Sequence, residues 1–447
     1  SLPLIVEYLT PKEFGIYDYV LIMTAIVNIV VTIEITQATS RFYPELKNDK
    51  DKVAYTSTAF IFVIFALTTF FTLVNLFSSE LSSYFFEVED QIGFRLGLLS
   101  VLVSTLLYFT QHQLKWEIKP KATVVVGLIN AVIFLLSLSF YIYIGEMDIY
   151  ALFKASIVAG LCASFFAIYC SRGSYQFDFD FTILKRMLSF SFPLVFSSAG
   201  MYVALYVDRF VIKDLMGVEA LGIYAFASRF ALIASLVMVS FQSSLVPLVY
   251  KHYKEEGTAL EVSRIFNVYI SIFILVLGGS YLFSTEIVYL FGSEEFYISG
   301  SLIFPLVFSS FLSGLYIFFP GLFVAKKTKI ISVITIFSGL VNAGLNFLLI
   351  PLWGLDGAAF ATVFSSFIVA LFFFLCGNKY FIPKFQWGKI FDAIIFSSVC
   401  MYLISLCFQG VTALDFIAKS IGLFFIFMLS FWYITGKRLH NFLEAFK

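Results

Sequence analysis

Apolar runs long enough to cross a bilayer recur thirteen times along this chain, and they constrain its fold more than any other feature. The hydrocarbon core of a bilayer is ~30 Å thick, so a helix needs about 20 apolar residues to span it. The chain is therefore predicted to be an all-α integral membrane protein, a polytopic helical bundle. The predicted spans are 14–38, 54–77, 92–114, 123–144, 149–170, 187–212, 220–249, 265–283, 299–325, 330–353, 358–376, 390–408 and 414–435.

The composition excludes an ordinary soluble domain. Hydrophobic residues make up 60% of the 447 residues, charged residues make up 13%, and the mean hydropathy is +0.94. Soluble domains are about 25% charged. The formal net charge is zero, which gives no indication of nucleic-acid binding. The predicted location is the cell membrane, crossed many times.

Basic residues are concentrated in every second loop, and this pattern predicts the orientation of the spans. The alternate loops that begin with 41–52, together with the tail from Lys437, hold 22 of the 29 Lys and Arg residues. The intervening loops are acidic and include Glu89 and Glu286. Because positively charged loops stay in the cytoplasm, the C-terminus is predicted to be cytoplasmic and residues 1–10 to lie outside.

The sequence repeats itself at a distance of roughly 210 residues. The motif E-F-G-I-Y at 13–17 returns as A-L-G-I-Y at 220–224, and G-L-I-N at 127–130 returns as G-L-V-N at 339–342. The copies are six spans apart, an even number, so both halves face the same way. The repeat predicts two pseudo-symmetric six-helix lobes plus two extra C-terminal helices.

The repeat also predicts the domain boundaries. Residues 1–171 form the N-terminal lobe, 172–186 a cytoplasmic linker, 187–377 the C-terminal lobe, and 378–447 the two additional helices with a cytoplasmic tail. The chain begins with Ser, and its opening apolar segment is too short to span a bilayer. The first span is therefore predicted to be mostly missing, and the full protein to have about fourteen.

Motifs for catalysis or metal binding do not occur in the sequence. The three histidines, His112, His252 and His440, are scattered, and H-E-x-x-H, Walker and G-x-S-x-G patterns are absent. The five cysteines lie in apolar runs without C-x-x-C spacing and are interpreted as small buried hydrophobic residues. The chain is predicted to be no enzyme and to need no cofactor or metal.

Charged residues inside the spans are the candidate functional residues, because each costs ~2.5–3.5 kcal/mol at the membrane centre on insertion scales. Arg229 lies eight residues past Leu221, roughly 12 Å below the outer surface at 1.5 Å per residue. Small residues surround it, and these either open a cavity or allow close helix packing. Arg229 is predicted to line a cavity and bind substrate, with a structural ion pair or a backbone cap as the alternative.

Four further charges lie near the outer ends of spans. Arg209 is a predicted substrate contact and Asp208 a predicted ion-coupling residue, with an interfacial anchor and a cap as the alternative for this adjacent pair. On one helix the two side chains point about 100° apart and need not pair. Lys154 and Lys419 lie one to two turns below the outer surface, where they bind substrate or extend to the interface.

Glu34 and Arg41 lie at the inner end of the first complete span. Glu34 is predicted either to couple an ion or to form a local salt bridge with Arg41, and Arg41 is a further predicted substrate contact. Polar amides inside the spans either bind sugars or hydrogen-bond between helices. These amides include Asn28, Gln37, Asn130, Gln242, Asn342 and Asn346.

Proline and glycine predict a bending helix in span 299–325. Pro305 and Pro320 each remove a backbone hydrogen bond, and Gly314 lies between them. These three residues are the predicted hinge.

Several short motifs together resemble a known family. They are F-S-F-P at 190–193, D-R at 208–209, Gly217, E-A-L-G-I-Y at 219–224, L-T-P-K-E-F-G-I-Y at 9–17 and G-L-D-G-A-A at 354–359. The chain resembles the O-antigen and capsule polysaccharide flippases of the multidrug/oligosaccharidyl-lipid/polysaccharide exporter superfamily. That resemblance implies a V-shaped pair of lobes around a central cavity.

The resemblance also implies a function. The expected activity is transport of an undecaprenyl-diphosphate-linked oligosaccharide from the inner to the outer leaflet by alternating access, for cell-surface polysaccharide synthesis. The expected partners are the lipid-linked oligosaccharide and membrane lipids, with a polysaccharide polymerase and a chain-length regulator. The alternatives are a lipid II flippase or a drug or cation antiporter of the same superfamily. A membrane glycosyltransferase would need a long outer loop or an acidic catalytic cluster, and the sequence has neither.

Overall fold

A computed structural model describes residues 2–87, 89–255 and 257–436, and those residues form helices and loops without a strand. The predicted tail from Lys437 lies outside the described residues. The helices are α1 Leu2–Val6, α2 Pro11–Val30, α3 Ile35–Phe42, α4 Asp49–Leu76, α5 Ser78–Phe86, α6 Gln91–Trp116, α7 Pro120–Ile144, α8 Ile149–Cys170, α9 Phe181–His252, α10 Thr258–Leu282, α11 Ser284–Phe291, α12 Gly300–Gly314, α13 Gly321–Val324, α14 Thr328–Gly377, α15 Trp387–Cys407 and α16 Ala413–Thr435.

Eleven helices of the described residues are long and apolar enough to span a bilayer. Helices α9 and α14 each hold two of the predicted spans, so the prediction of an all-α integral membrane protein is confirmed. Backbone geometry separates the two spans in each case. In α9, Gly217 has φ 88°, and in α14, Gly354 has φ 60°. Glycine adopts this left-handed conformation without the steric cost that a side chain would add.

Acidic residues in the loops predicted to lie outside begin the next helices. Thr10 and Glu13 form a capping box at the start of α2, and Thr412 and Asp415 form another at the start of α16. A capping box satisfies backbone N–H groups that the first turn of a helix leaves without partners. A carboxylate there also interacts favourably with the positive end of the helix dipole. The acidic loop residues therefore have a structural role besides the charge bias that predicts orientation.

The first compact unit ends at Gly222 and is built around α6. Helix α6 packs against α2, α4, α5, α7 and α8. Its core includes the buried Phe94 and Phe109 from α6 and Phe153 from α8. Aromatic side chains of this size bury 150–250 Å² each and dominate core energetics.

The second compact unit begins at Ile223 and is built around α10. Helix α10 packs against α12 and also against α15 and α16. The buried Tyr269 of α10 donates its hydroxyl hydrogen to the Phe311 carbonyl oxygen at 2.9 Å. The Asn267 amide nitrogen donates to the Ile434 carbonyl oxygen at 3.3 Å. The two additional C-terminal helices are therefore packed into this unit.

The division at 222 lies later in the chain than the predicted linker 172–186. Contacts of α9 with α2 assign residues 187–222 to the first unit. The linker itself is also bonded to that unit, since the Gln176 and Asp180 backbone N–H groups donate to Ser57 Oγ and Thr58 Oγ1 of α4 at 2.8 and 3.1 Å. The lobe boundaries that the repeat indicates remain a prediction.

Candidate functional site

Three charged side chains of the first unit meet inside predicted spans: Asp18 from α2, and Asp208 and Arg209 from α9. Arg209 Nε lies 3.2 Å from Asp18 Oδ2, and Arg209 Nη1 lies 3.7 Å from Asp208 Oδ1. The three side chains are 11%, 7% and 9% exposed for Arg209, Asp18 and Asp208. Buried charges are stable only when they are paired, so this ionic cluster connects α9 to α2.

The ionic cluster follows an interruption of α9. Tyr206 leaves helical geometry, with φ −120° and ψ 15°. Its ring centre lies 5.1 Å from the Arg209 guanidinium carbon, a cation–π contact, and 4.6 Å from the Tyr202 ring. The Tyr202 hydroxyl donates to the Ile22 carbonyl oxygen at 3.3 Å. Interrupted helices inside spans form the substrate and ion sites of many transporters.

Sequence reasoning identified two residues of this cluster and missed Asp18. The sequence indicates that Asp208 and Arg209 need not pair with each other, and in the structure Arg209 lies closer to Asp18 of α2 than to Asp208. A signal for Asp18 was present, because it is a carboxylate near the outer end of span 14–38, at a depth similar to that of Arg209 in its own span. Opposite charges at matched depth are candidates for pairing across helices.

Arg229 lies in the part of α9 that belongs to the second unit, and its side chain is half-buried. The neighbouring Ala225, Ala227 and Ser228 are buried, and the Ser228 hydroxyl donates to the Tyr224 carbonyl oxygen at 2.8 Å. The small residues thus allow close packing on one side of the helix. Substrate contact by Arg229 remains a prediction.

The two lysines predicted near the outer surface have different environments. Lys154 is exposed on α8, with its ammonium 6.0 Å from the Tyr141 ring. Lys419 is buried, and its Nζ lies 2.6 Å from Glu286 Oε1. The expectation that Lys419 extends to the interface is wrong, because a buried carboxylate holds the ammonium inside the unit. Glu286, interpreted as a loop residue, is 8% exposed.

The span that holds Glu34 is divided into α2 and α3. Ile33 and Glu34 have φ values of 52° and 51° at the break, although the left-handed region costs an L-residue roughly 1–2 kcal/mol. Glu34 is 8% exposed. Arg41 is exposed and pairs with Glu45, so the expected local salt bridge between Glu34 and Arg41 is wrong. Ion coupling by Glu34 remains a prediction.

The predicted bending helix is interrupted at one of its two prolines. Helix α12 continues through Pro305 and ends at Gly314, and a 3-10 segment Leu315–Phe318 precedes Pro320 and the short α13. A side chain at Gly314 would overlap the Met238 side chain, so this glycine permits close packing with α9. The structure places a break at Pro320, and bending there during transport remains a prediction.

A polar cluster lies just outside the spans, in the loop predicted to be cytoplasmic. The Glu117 carboxylate, 5% exposed, contacts Lys119 Nζ at 2.6 Å and accepts hydrogen bonds from Gln113 at 2.8 Å and Ser174 at 2.6 Å. Burial opposes ionisation of this carboxyl, but the hydrogen bonds from Gln113, Lys119 and Ser174 outweigh it and lower the pKa of Glu117. The cluster holds the end of α6 to the segment that follows α8.

Two of the amides inside the spans, Asn342 and Asn346, are buried and form hydrogen bonds within the protein, which supports a packing role for them. Asn342 donates to Ser365 Oγ at 3.0 Å, across the kink of α14. Asn346 donates to the Asn342 side-chain oxygen at 3.1 Å. Gln242 differs from both because its side chain is exposed.

Comparison with known proteins gives a family and a fold. A family model described as "Polysaccharide biosynthesis protein" matches residues 1–252. The capsular polysaccharide biosynthesis protein CapF of Staphylococcus aureus is 24% identical over 405 residues, which cover 84% of this chain and 94% of CapF. The Lsg locus putative protein 1 of Haemophilus influenzae is 25% identical over 112 residues, 24% of this chain and 28% of that protein.

Two solved structures have the same fold at low sequence identity. The lipid II flippase MurJ in an inward closed conformation has a TM-score of 0.68 and 15% identity, with 94% of this chain and 96% of that chain covered. A multidrug resistance MATE family transporter in an inward-facing conformation has a TM-score of 0.67 and 15% identity, with 85% and 92% covered. Both are transporters of helical membrane architecture, so the predicted superfamily resemblance is confirmed at the level of fold.

Proposed function

This chain belongs to the polysaccharide biosynthesis protein family, and on that premise we propose that it is a flippase for an undecaprenyl-diphosphate-linked oligosaccharide. It moves the oligosaccharide from the inner to the outer leaflet by alternating access and so serves cell-surface polysaccharide synthesis. The observation that carries the proposal is the family match over residues 1–252. The buried charges of Asp18, Asp208 and Arg209 beside the helix interruption at Tyr206 support a role in transport. Ionisable residues inside spans mark transport pathways.

The chemistry of the substrate explains why cations are needed. A diphosphate carries about two negative charges, and an unpaired ion is expensive in a medium of low dielectric constant. Arginine lowers that barrier best, because its planar fork matches phosphate oxygens. Arg229 is the proposed diphosphate contact, and the exposed Lys154 attracts the headgroup outward. Arg209 is predicted from the sequence as a further contact, but its pairs with Asp18 and Asp208 assign it to the connection between α9 and α2. Lys419 is assigned to packing through its pair with Glu286.

Substitution of Arg229 tests the proposal. Arg229→Lys keeps the charge without the fork and should retain part of the export, whereas Arg229→Gln should lose most of it. Arg95→Gln is the matched control, because Arg95 is exposed near the outer end of α6. The readout is surface polysaccharide in cells that lack their own polysaccharide flippase, with accumulation of the lipid-linked precursor followed in parallel. Export by a well-expressed Arg229→Gln protein at the parent level would make Arg229 a packing residue.

Lipid II is the second candidate substrate, since the fold is shared with a lipid II flippase. Two hosts separate the candidates. The proposal expects the chain to restore surface polysaccharide in a host without its polysaccharide flippase, and to leave a host depleted of its lipid II flippase inviable. The opposite pattern would assign the chain to cell-wall synthesis. Resistance to toxic cations without either effect would assign it to the antiporters.

A further inference from the structure

The second unit contains a cavity between α9 and the interrupted segment around Pro320. Its volume is about 100 Å³. Gln242, Val246 and Tyr250 line it from α9, and Tyr316 and Phe323 line it from the other side of the break. We call it the Gln242 cavity. Tyr316, Pro320 and Phe323 of its lining belong to the interrupted segment between α12 and α14.

The polar groups of the Gln242 cavity are held in place before any ligand arrives. The Gln242 amide nitrogen donates to the Tyr316 hydroxyl oxygen at 3.0 Å. The Tyr316 ring packs against Phe373 and Phe323, at centroid distances of 5.5 and 6.0 Å. This bond uses neither the Gln242 side-chain oxygen nor the Tyr316 hydroxyl hydrogen, so both groups can hydrogen-bond to a ligand. Groups fixed in advance bind with a smaller entropic cost.

The lining favours an uncharged ligand rich in hydroxyl groups. Its polar groups are one amide and two phenols, Gln242, Tyr250 and Tyr316, and the remaining lining residues are apolar. A phosphate would instead call for Arg or Lys. Aromatic and apolar surface beside a few polar groups is the usual composition of a small-molecule site. Gln242 and Tyr250 are exposed, whereas Pro320 is buried, so the polar groups lie at the open side.

The volume sets the size of the ligand. A water takes up about 30 Å³ of liquid, so a cavity of about 100 Å³ has room for roughly three waters. That space admits one edge of a single sugar ring through the open side, and an oligosaccharide is much larger.

We propose that the Gln242 cavity is a subsite for one sugar ring of the lipid-linked saccharide, separate from the cationic residues that contact the diphosphate. The inference rests on the proposed function and adds to it a residue-level site for the neutral part of the substrate. Gln242 and Tyr316 hydrogen-bond the hydroxyl groups of the ring, and the apolar floor packs against its carbon face.

Binding of two lipid probes to the full chain in nanodiscs tests the subsite. The probes are undecaprenyl diphosphate and undecaprenyl-diphosphate-linked N-acetylglucosamine, which differ by one sugar. The parent should bind the second probe more tightly. Gln242→Leu and Tyr316→Phe should each reduce that gain about three- to tenfold, as expected for a lost hydrogen bond. Neither should alter binding of the probe without sugar.

Filling the cavity gives an independent test with a matched control. Val246→Phe places a ring in the space and should abolish the gain from the sugar. Val239→Phe makes the same change at an exposed position on the same helix and should behave as the parent. Thermal unfolding of each variant in detergent excludes misfolded protein, and Gln242→Leu and Tyr316→Phe still test the subsite if Val246→Phe does not fold.

Each other outcome contradicts a defined part of the inference. Equal binding of the two probes by the parent, or variants that keep the full gain, would overturn the subsite and leave the flippase proposal intact. Variants that lose both probes equally would make the cavity a packing feature and overturn the subsite. A parent that binds neither probe would overturn the proposed function, and the subsite with it.

Discussion

Lys419 and Glu286 form an ion pair whose side chains are only 6% and 9% exposed. Loss of one partner from a buried pair leaves an uncompensated charge and costs roughly 3–5 kcal/mol, whereas replacement of both by apolar residues is often close to neutral. Lys419→Met and Glu286→Leu should therefore each lower the unfolding temperature in detergent strongly. The double variant should recover most of the loss, with export close to the parent. A stable double variant that exports nothing would instead return Lys419 to the substrate pathway.

The contacts of Glu117 with Gln113, Lys119 and Ser174 predict that stability depends on pH. Its carboxyl has a lowered pKa in the folded protein, so its contribution to stability is present above the ordinary glutamate pKa of about 4.3 and is lost as the pH falls through the lower folded-state value. Glu117→Gln should lower the unfolding temperature at pH 7, and the difference from the parent should shrink below about pH 4. Glu146→Gln, at an exposed position, is the control. A difference that is constant with pH would assign the effect to packing.

At the scale of residues, the sequence identified charges but not their partners. Lys419 and Glu286 are far apart in sequence, and span hydropathy assigned one to a helix and the other to a loop. Arg209 has an acidic neighbour in sequence, yet the closer contact is with Asp18 of another helix. Pairing depends on the rotation and height of each helix. An apolar pattern on all sides of a span does not encode that rotation.

The glycines of the repeated motif mark a close contact between elements. A side chain at Gly15 would overlap the Val218 carbonyl oxygen, and one at Gly222 would overlap the Pro11 carbonyl oxygen. Because backbone atoms cannot move aside cheaply, Gly222→Ala should destabilise the protein by about 1–3 kcal/mol or more.

Gly344→Ala is the matched control, since its added Cβ meets open space in the middle of α14. Alanine has the higher helix propensity by about 0.8–1 kcal/mol, so this change should be neutral or stabilising. Thermal unfolding in detergent and membrane abundance measure both variants. An unchanged Gly222→Ala protein would contradict the close contact.

At the scale of elements, breaks at proline and glycine could be predicted and others could not. Gly217, Gly354 and Pro320 each coincide with an interruption. The break at Ile33 and Glu34 contains neither residue type, so propensity gave no signal for it. Strained backbone of this kind persists where surrounding packing imposes it, and it is frequent at functional sites.

For the whole molecule, the charge bias of the loops predicts which side each loop occupies. Single cysteines introduced into a cysteine-free background test it by accessibility labelling. Cysteines at Asn48 and Lys327 should be labelled from the cytoplasm, and those at Glu89 and Glu295 from outside. The physical reason is the cost of moving Lys and Arg across the membrane during insertion. The reverse pattern would invert the proposed direction of transport.

The number of spans and the fold class were predictable because the bilayer imposes length and hydrophobicity on every crossing. The boundary between the compact units was harder to predict from the sequence. Residues 187–222 follow the predicted linker, but the ionic cluster connects them to the first unit. Long-range contacts decide such assignments, and they leave little trace in local composition.

The attachment of α15 and α16 to α10 restricts how the chain can be shortened. Although the repeat presents these helices as an addition to a twelve-span plan, Asn267 bonds to the last turn of α16, and Lys419 neutralises the buried Glu286. A stop codon after residue 377 would leave both groups buried or lipid-exposed without their partners. Two polar positions would have to become apolar before the helices could be lost. Deletion of α15 and α16 is therefore expected to need compensating substitutions at Asn267 and Glu286.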